Sequence, residues 1–229
     1  MSRPAENRES KSALSWTGRL AALASLGDAG RRRLFEYVAG QPSAVGRDDA
    51  AAALDMPRST ASFHLDRLVR DGLLAVEFRK LGGKAGPGSG RPAKLYRPAL
   101  EEVGASVPDR SYDLAGELMA TAIESAMTGG GGVREALTDA SYSRGRSLGG
   151  NGASLDDLLG GVGYMPERDA EGGIVLMNCP FHRLAEGHAD VVCAMNGAFL
   201  SGAAAACGVP EEKVEEDRAV GRCCARIRP

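Results

Sequence analysis

Apolar and small residues first recur at helical spacing over residues 15–26, where Trp16, Leu20 and Leu23 share a side. A Gly-Asp turn follows. Asp28 is placed to cap a second helix, running to Gly40, whose buried face carries Leu34, Phe35 and Val38. Gln41 and Pro42 break the pattern, a short alanine-rich helix covers 47–54, and Asp55, Met56 and Pro57 make a tight turn. In residues 58–70 the apolar positions Ala61, Leu65, Leu68 and Val69 again keep helical spacing. That leaves Arg58, Ser59, Thr60, Ser62, Phe63 and Arg67 facing outward. His64, beside Leu65, reads as a packed and satisfied core residue rather than a base reader. Residues 73–80 and 93–97 then read as two strands around a glycine-rich loop, 81–92, that carries Lys84 and Arg91. Two short helices with a tight turn, then a basic hairpin, is the layout of a winged helix-turn-helix.

The second half changes character. The pattern predicts a long helix at 109–128 (Leu114, Leu118, Ala122, Ile123, Ala126), a break at Gly129 to Gly132 and a second helix at 133–145. Shorter pieces follow: a helix at 154–159, strands at 163–168 and 173–179, a small-residue helix at 184–206, and closing strands at 214–220 and 223–227. The expected fold class is α+β, an N-terminal winged helix-turn-helix plus a C-terminal α+β sensor domain with a small antiparallel sheet. The expected domains are a disordered tail (1–12), a DNA-binding domain (13–98), a linker (99–108) and a sensor and dimerisation domain (109–229).

Charge sharpens this division. Of the 28 basic and 30 acidic side chains, residues 1–100 hold 17 and 10, a net of +7, while the remainder is net −9. A basic half beside an acidic one suits a module for a polyanion joined to a part that stays off it. Sequence readout of DNA needs hydrogen-bonding side chains in the major groove, which Arg58, Ser59, Thr60, Ser62, Phe63 and Arg67 would supply. Arg79, Lys80, Lys84, Arg91 and Lys94 on the wing would neutralise phosphates, contacts that position rather than specify. The competing reading is a winged helix used as a protein-binding module with a solvated charged face. With no run of about 18 apolar residues and no signal-peptide pattern, the chain is expected to be cytoplasmic and to have no membrane partner.

The five cysteines, Cys179, Cys193, Cys207, Cys223 and Cys224, all lie in the last 51 residues. Their spacing is not the paired pattern of a zinc knuckle. Dispersed thiolates suit an iron–sulfur cluster, although buried cysteine also serves as a small hydrophobe. On one straight helix Cys193 and Cys207 would stand roughly 21 Å apart at about 1.5 Å per residue, which disfavours Cys207 as a ligand. Cys223 and Cys224, adjacent on a predicted strand, would face opposite ways, so one of them is expected at the site. Cys179, Cys193 and one of that pair remain. The fourth position is open to His182, His188, Cys207 or an exogenous group, with His182, three residues after Cys179, preferred.

The run 58–74, the wing ending at Gly90 to Pro98, the stretch Asn178 to Ala185, His188 to Cys193, and Gly221 to Ile227 together resemble the SufR-like family of ArsR-related winged-helix regulators. That resemblance implies a homodimeric repressor of iron–sulfur cluster biogenesis genes that binds an inverted-repeat operator. It also implies a cluster, [4Fe–4S] preferred over [2Fe–2S], on Cys179, Cys193 and Cys223, with Cys224 at a position where many relatives need no cysteine. In such regulators the loaded form represses. The alternative is a winged-helix regulator whose second domain takes a small organic effector or zinc. Catalysis is not expected: the chain has no P-loop and no nucleophile–base constellation.

Overall fold

The structure is a computed structural model and describes residues 14–80, 92–129, 131–149, 154–217 and 219–229. The predicted tail, and Lys84 and Arg91 of the wing loop, lie outside the described residues. The chain divides into two compact units, Met1–Ala105 and Ser106–Pro229.

In the first unit α1 (Trp16–Ser25), α2 (Ala29–Ala39), α3 (Arg47–Ala53) and α4 (Arg58–Arg70) precede the strands β2 (Leu74–Arg79) and β3 (Ala93–Pro98). Capping fixes two of the helix starts. The Ser15 hydroxyl accepts from the Gly18 N–H, and the Asp28 carboxylate accepts from the Arg31 N–H at 2.9 Å. Those bonds satisfy amides that have no partner inside the helix. The turn between α3 and α4 places Asp55 at φ 49°, a left-handed conformation that aspartate tolerates better than most residues. Leu34, Val38, Ala61, Leu65, Leu68, Leu73, Leu74 and Tyr96 form one buried cluster. A two-residue strand, β1 (Val45–Gly46), pairs with β3 to give an antiparallel sheet in the order β1-β3-β2. The sequence pattern missed it, since two residues are too few to show alternation.

The second unit contains α5 (Tyr112–Gly129), α6 (Val133–Gly149), α7 (Leu155–Val162) and α8 (His182–Ala206), with strands β4 (Pro166–Arg168), β5 (Ile174–Leu176), β6 (Val214–Glu216) and β7 (Ala225–Ile227). The strands make an antiparallel sheet in the order β4-β5-β7-β6. The protein is therefore α+β, with a helix-turn-helix in its N-terminal unit. α8 is the core helix: Val192, Met195, Phe199, Leu200, Ala203 and Ala204 are buried at i, i+3, i+4 spacing. By length and composition alone it is apolar enough to cross a membrane. It contains no long uninterrupted apolar run, because polar residues break it while glycine and alanine keep its mean hydropathy high. α8 bends at His188 (φ −141°, ψ 41°), and it packs closely on α6. A Cβ on Gly145 would lie 2.1 Å from the Phe199 carbonyl oxygen, and one on Gly202 would lie 2.1 Å from that of Tyr142.

Three sequence boundaries shift in consequential ways. α6 continues four residues past the predicted 145, because Gly145 sits inside the helix as a contact point instead of ending it. α7 ends at Gly163 in the left-handed region, at φ 101°, so residues 163–165 are a cap and turn and β4 starts only at Pro166. Cys223 and Cys224 fall before β7, in irregular chain following Gly221 at φ 86°.

Candidate functional site

On the N-terminal unit, α4 presents the expected outer face. Arg58, Ser59, Phe63 and Arg67 are exposed, and Thr60 and Ser62 are half-buried. Phe63 is 65% exposed and meets the His64 ring edge-on at 5.5 Å. His64 packs toward Gly30 of α2, so it is a packing residue, but its Nδ1 is buried with no hydrogen-bond partner among the described residues. It is therefore packed without being satisfied.

Several of the basic side chains are held by acids of the same unit. Arg58 reaches Asp48 of α3 through two nitrogens, at 2.5 and 3.0 Å. Arg67 pairs with Asp71 at 2.9 Å, and Arg79 pairs with Glu77. Lys94 is bound by Asp66 of α4 and lies 5.1 Å from the centre of the Tyr96 ring. The Tyr96 hydroxyl donates to the same carboxylate at 3.0 Å. Burial pushes the Asp66 carboxyl up, but the hydrogen bonds from Lys94 and Tyr96 outweigh it and hold the group below 3.8. The Lys94 ammonium is raised above 10.5, chiefly by its bond to Asp66. Lys80, after β2, is exposed. The face is thus one of tethered cations around small hydroxyls, with Phe63 at its centre.

In the C-terminal unit, thiols from three separate segments meet. Cys179 follows β5, Cys193 lies on α8 beyond the bend, and Cys223 and Cys224 precede β7. Thiol–thiol hydrogen bonds link Cys179 to Cys223, Cys223 to Cys224, and Cys224 to Cys193. Both members of the adjacent pair therefore face the same group, contrary to the strand-based expectation. A strand alternates its side chains, whereas the irregular chain at 223–224 does not. None of the five cysteines is in a disulfide. Cys207 caps the C-terminus of α8, 14 residues beyond Cys193, and no bend intervenes. It is packed on the core. His182 opens α8; its side chain is 59% exposed and lies 3.5 Å from Glu186. His188 is exposed at the bend.

The surroundings hold this group tightly. The Arg110 guanidinium donates to the Cys179 carbonyl at 3.0 Å and to the Asn178 side chain. Asn178 in turn donates to the carbonyls of Asp109 and Gly163. The Cys223 N–H donates to the Leu176 carbonyl at 2.8 Å, anchoring the last segment to the end of β5. Asn196, fully buried on α8, donates from Nδ2 to the sulfurs of Cys223 (3.3 Å) and Cys224 (3.6 Å). Its Oδ1 accepts from the Tyr164 hydroxyl at 2.6 Å.

The four thiols differ in acidity. A hydrogen bond from Cys223 lowers Cys179 below 9.0 against the opposing effect of burial. Burial pushes Cys193 up to about 12, and the bond to Cys179 pushes Cys223 up to about 12. Cys224 is raised too, first by Cys223 and then by burial. Cys179 is therefore the first to become a thiolate, the form that attacks electrophiles and ligates metals. Cys193 and Cys224 also line a groove of about 610 Å³, with Asp190, Glu215, Asp217 and Arg134 among its walls. Among the described residues no three His, Cys, Asp or Glu side chains surround a single metal-ion position.

Residues 26–77 match a family model described as a helix-turn-helix domain, spanning α2 to β2. No curated protein and no solved structure matches the chain. The match supports a DNA-binding transcriptional regulator.

Proposed function

We propose that this regulator carries a metal–sulfur centre on Cys179, Cys193, Cys223 and Cys224, and that the centre controls its affinity for DNA. The observation that carries the reading is the contiguous group of four thiols drawn from three segments far apart in sequence. Cysteine used only as a small hydrophobe has no reason to converge. The thiols run in a chain instead of surrounding one point, which disfavours a single zinc ion, held tetrahedrally by four ligands. An iron–sulfur cluster takes cysteine thiolates as its usual ligands, so the donor set fits it. Cys224 is the better fourth ligand; His182 is exposed and tied to Glu186.

When bound, a cluster would supply a redox-sensitive and oxygen-sensitive group; the chain's own residues do the rest. Arg110 and Asn178 set the backbone at Cys179, Asn196 orients the sulfurs of Cys223 and Cys224, and the groove admits solvent to Cys193 and Cys224. Control of DNA affinity follows by linkage, since a ligand shifts an equilibrium only by its differential affinity for the two states. The regulator acts as a homodimer on an inverted repeat, the loaded form being the repressor of iron–sulfur cluster biogenesis genes. Ile123 and Met127, exposed on α5, are the residues proposed for the dimer seam.

The deciding experiment is purification without oxygen, followed by a visible spectrum and assays for iron, sulfide and zinc. A broad band at about 400 nm with matched iron and sulfide is expected. Cys224→Ser should lose it, and His182→Ala should keep it. A colourless protein that also resists loading with iron and sulfide would overturn the reading. The groove, whose volume of about 610 Å³ is that of a small-molecule site, would then favour an organic effector.

A further inference from the structure

A buried amide with only thiols to bond is poorly served. A neutral thiol is a weak acceptor, and a buried donor without a good acceptor is destabilising. Yet Asn196 sits on the apolar face of α8, fully buried between Met195 and Phe199, with its Nδ2 toward Cys223 and Cys224. Its other end is fixed by the Tyr164 hydroxyl at 2.6 Å. Tyr164 is itself buried, edge-on to Phe181 at 6.5 Å and stacked on Phe199 at 6.4 Å. The left-handed cap at Gly163 delivers it there directly from the end of α7. Two buried polar groups on separate elements are thus spent on aiming one N–H pair at two sulfurs.

We propose that Asn196, held by Tyr164, is a positioning residue of the thiol centre: its amide hydrogen-bonds the sulfurs of Cys223 and Cys224 in their metal-bound form and sets the charge they present. The inference rests on the metal–sulfur reading above. A metal-bound thiolate carries negative charge, so it is the strong acceptor this geometry calls for. Donation to a ligand sulfur draws charge from it, and hydrogen bonds to the sulfurs are among the factors that set a cluster's reduction potential. The more negative reduced state gains more from the donor, so Asn196 raises the potential. It also keeps both sulfurs turned to one side, as groups behind the first ligands do elsewhere.

The test loads the full chain, as wild type, Tyr164→Phe and Asn196→Leu, with ferrous iron and sulfide, and reads midpoint potential and iron retained against a chelator. Asn196→Leu should lower the potential and weaken iron retention by about 10- to 100-fold. Tyr164→Phe, which keeps the ring and its packing, should move both in the same direction by less. A purely structural role would leave the potential unchanged in the variants that load, and that result overturns the proposal. Wild type that takes up no iron and sulfide overturns this proposal together with the metal reading. If Asn196→Leu does not fold, as judged by circular dichroism, Tyr164→Phe decides alone.

Discussion

Asp48 occupies the Arg58 guanidinium, one of the groups that α4 would offer to DNA. Arg58 is held at 2.5 and 3.0 Å, yet both side chains are more than 60% exposed, so the pair contributes little to folding. Asp48→Ala should therefore leave the unfolding midpoint nearly unchanged and tighten binding to duplex DNA, since Arg58 no longer has to be released. Fluorescence anisotropy with a random-sequence duplex measures it; equal or weaker binding would mean that Asp48 orients Arg58 for contact. Asp66 gives a second case. Its carboxyl is held below 3.8, so its contribution is complete above that value and disappears as pH falls through the lowered one. Lys94, raised above 10.5, contributes at lower pH and loses its part as pH rises past its own shifted value. Asp66→Asn should thus be less stable than wild type near neutrality. Urea unfolding should show the difference narrowing as the solution is taken below 3.8. A difference independent of pH would point to packing and not to the ion pair.

Helices were legible where their apolar spacing was long and their caps explicit. α4 spans the predicted 58–70, and Asp28 caps α2 as its position suggested. What escaped was whatever periodicity does not encode. β1 has two residues, and Gly145 looked like a terminator because a glycine within a helical pattern reads as an end. Spacing and strand geometry left Cys179, Cys193 and one of the adjacent pair, with Cys223 taken on the resemblance, and did not show that Cys224 faces the same group. Its orientation depends on irregular chain after Gly221, which has no period to read. Asn196 does carry a sequence signal: it is a polar residue at i+3 from Cys193 on an otherwise apolar helix face. The contact of α6 with α8 leaves no room for a side chain at Gly145. Alanine at Gly145 improves helix propensity by about 1 kcal/mol, but overpacking against backbone typically costs about 1–3 kcal/mol. A Cβ there would meet the Phe199 oxygen at 2.1 Å, so overpacking wins. Chemical denaturation of Gly145→Ala should show a net loss, and a gain would mean that the helices separate easily.

Charge is divided between the two parts of the chain, with a net of +7 over residues 1–100 and −9 over the remainder. The acidic part repels a polyanion over distances set by screening, about 10 Å at 0.1 M salt. A fragment ending at Ala105, which retains its own buried cluster but not α5, should bind a random-sequence duplex too short for two copies more tightly than the whole chain does at low salt. The advantage should shrink as salt rises, because screening weakens that repulsion. A gap that stays constant with salt would indicate a contact and not a field.

Most helix pairs are separated by a layer of side chains that can hop between rotamers and absorb a shift of a few tenths of an ångström. At Gly145 and Gly202 that layer is missing, and the main chains of α6 and α8 touch. Cys193 rides on one member of this pair. A displacement at its sulfur therefore has no cushion in which to dissipate between the two helices. α6 and α8 are thus held to one spacing at these two points, and Arg134 on α6 also donates to the Asp190 carbonyl of α8 at 3.5 Å.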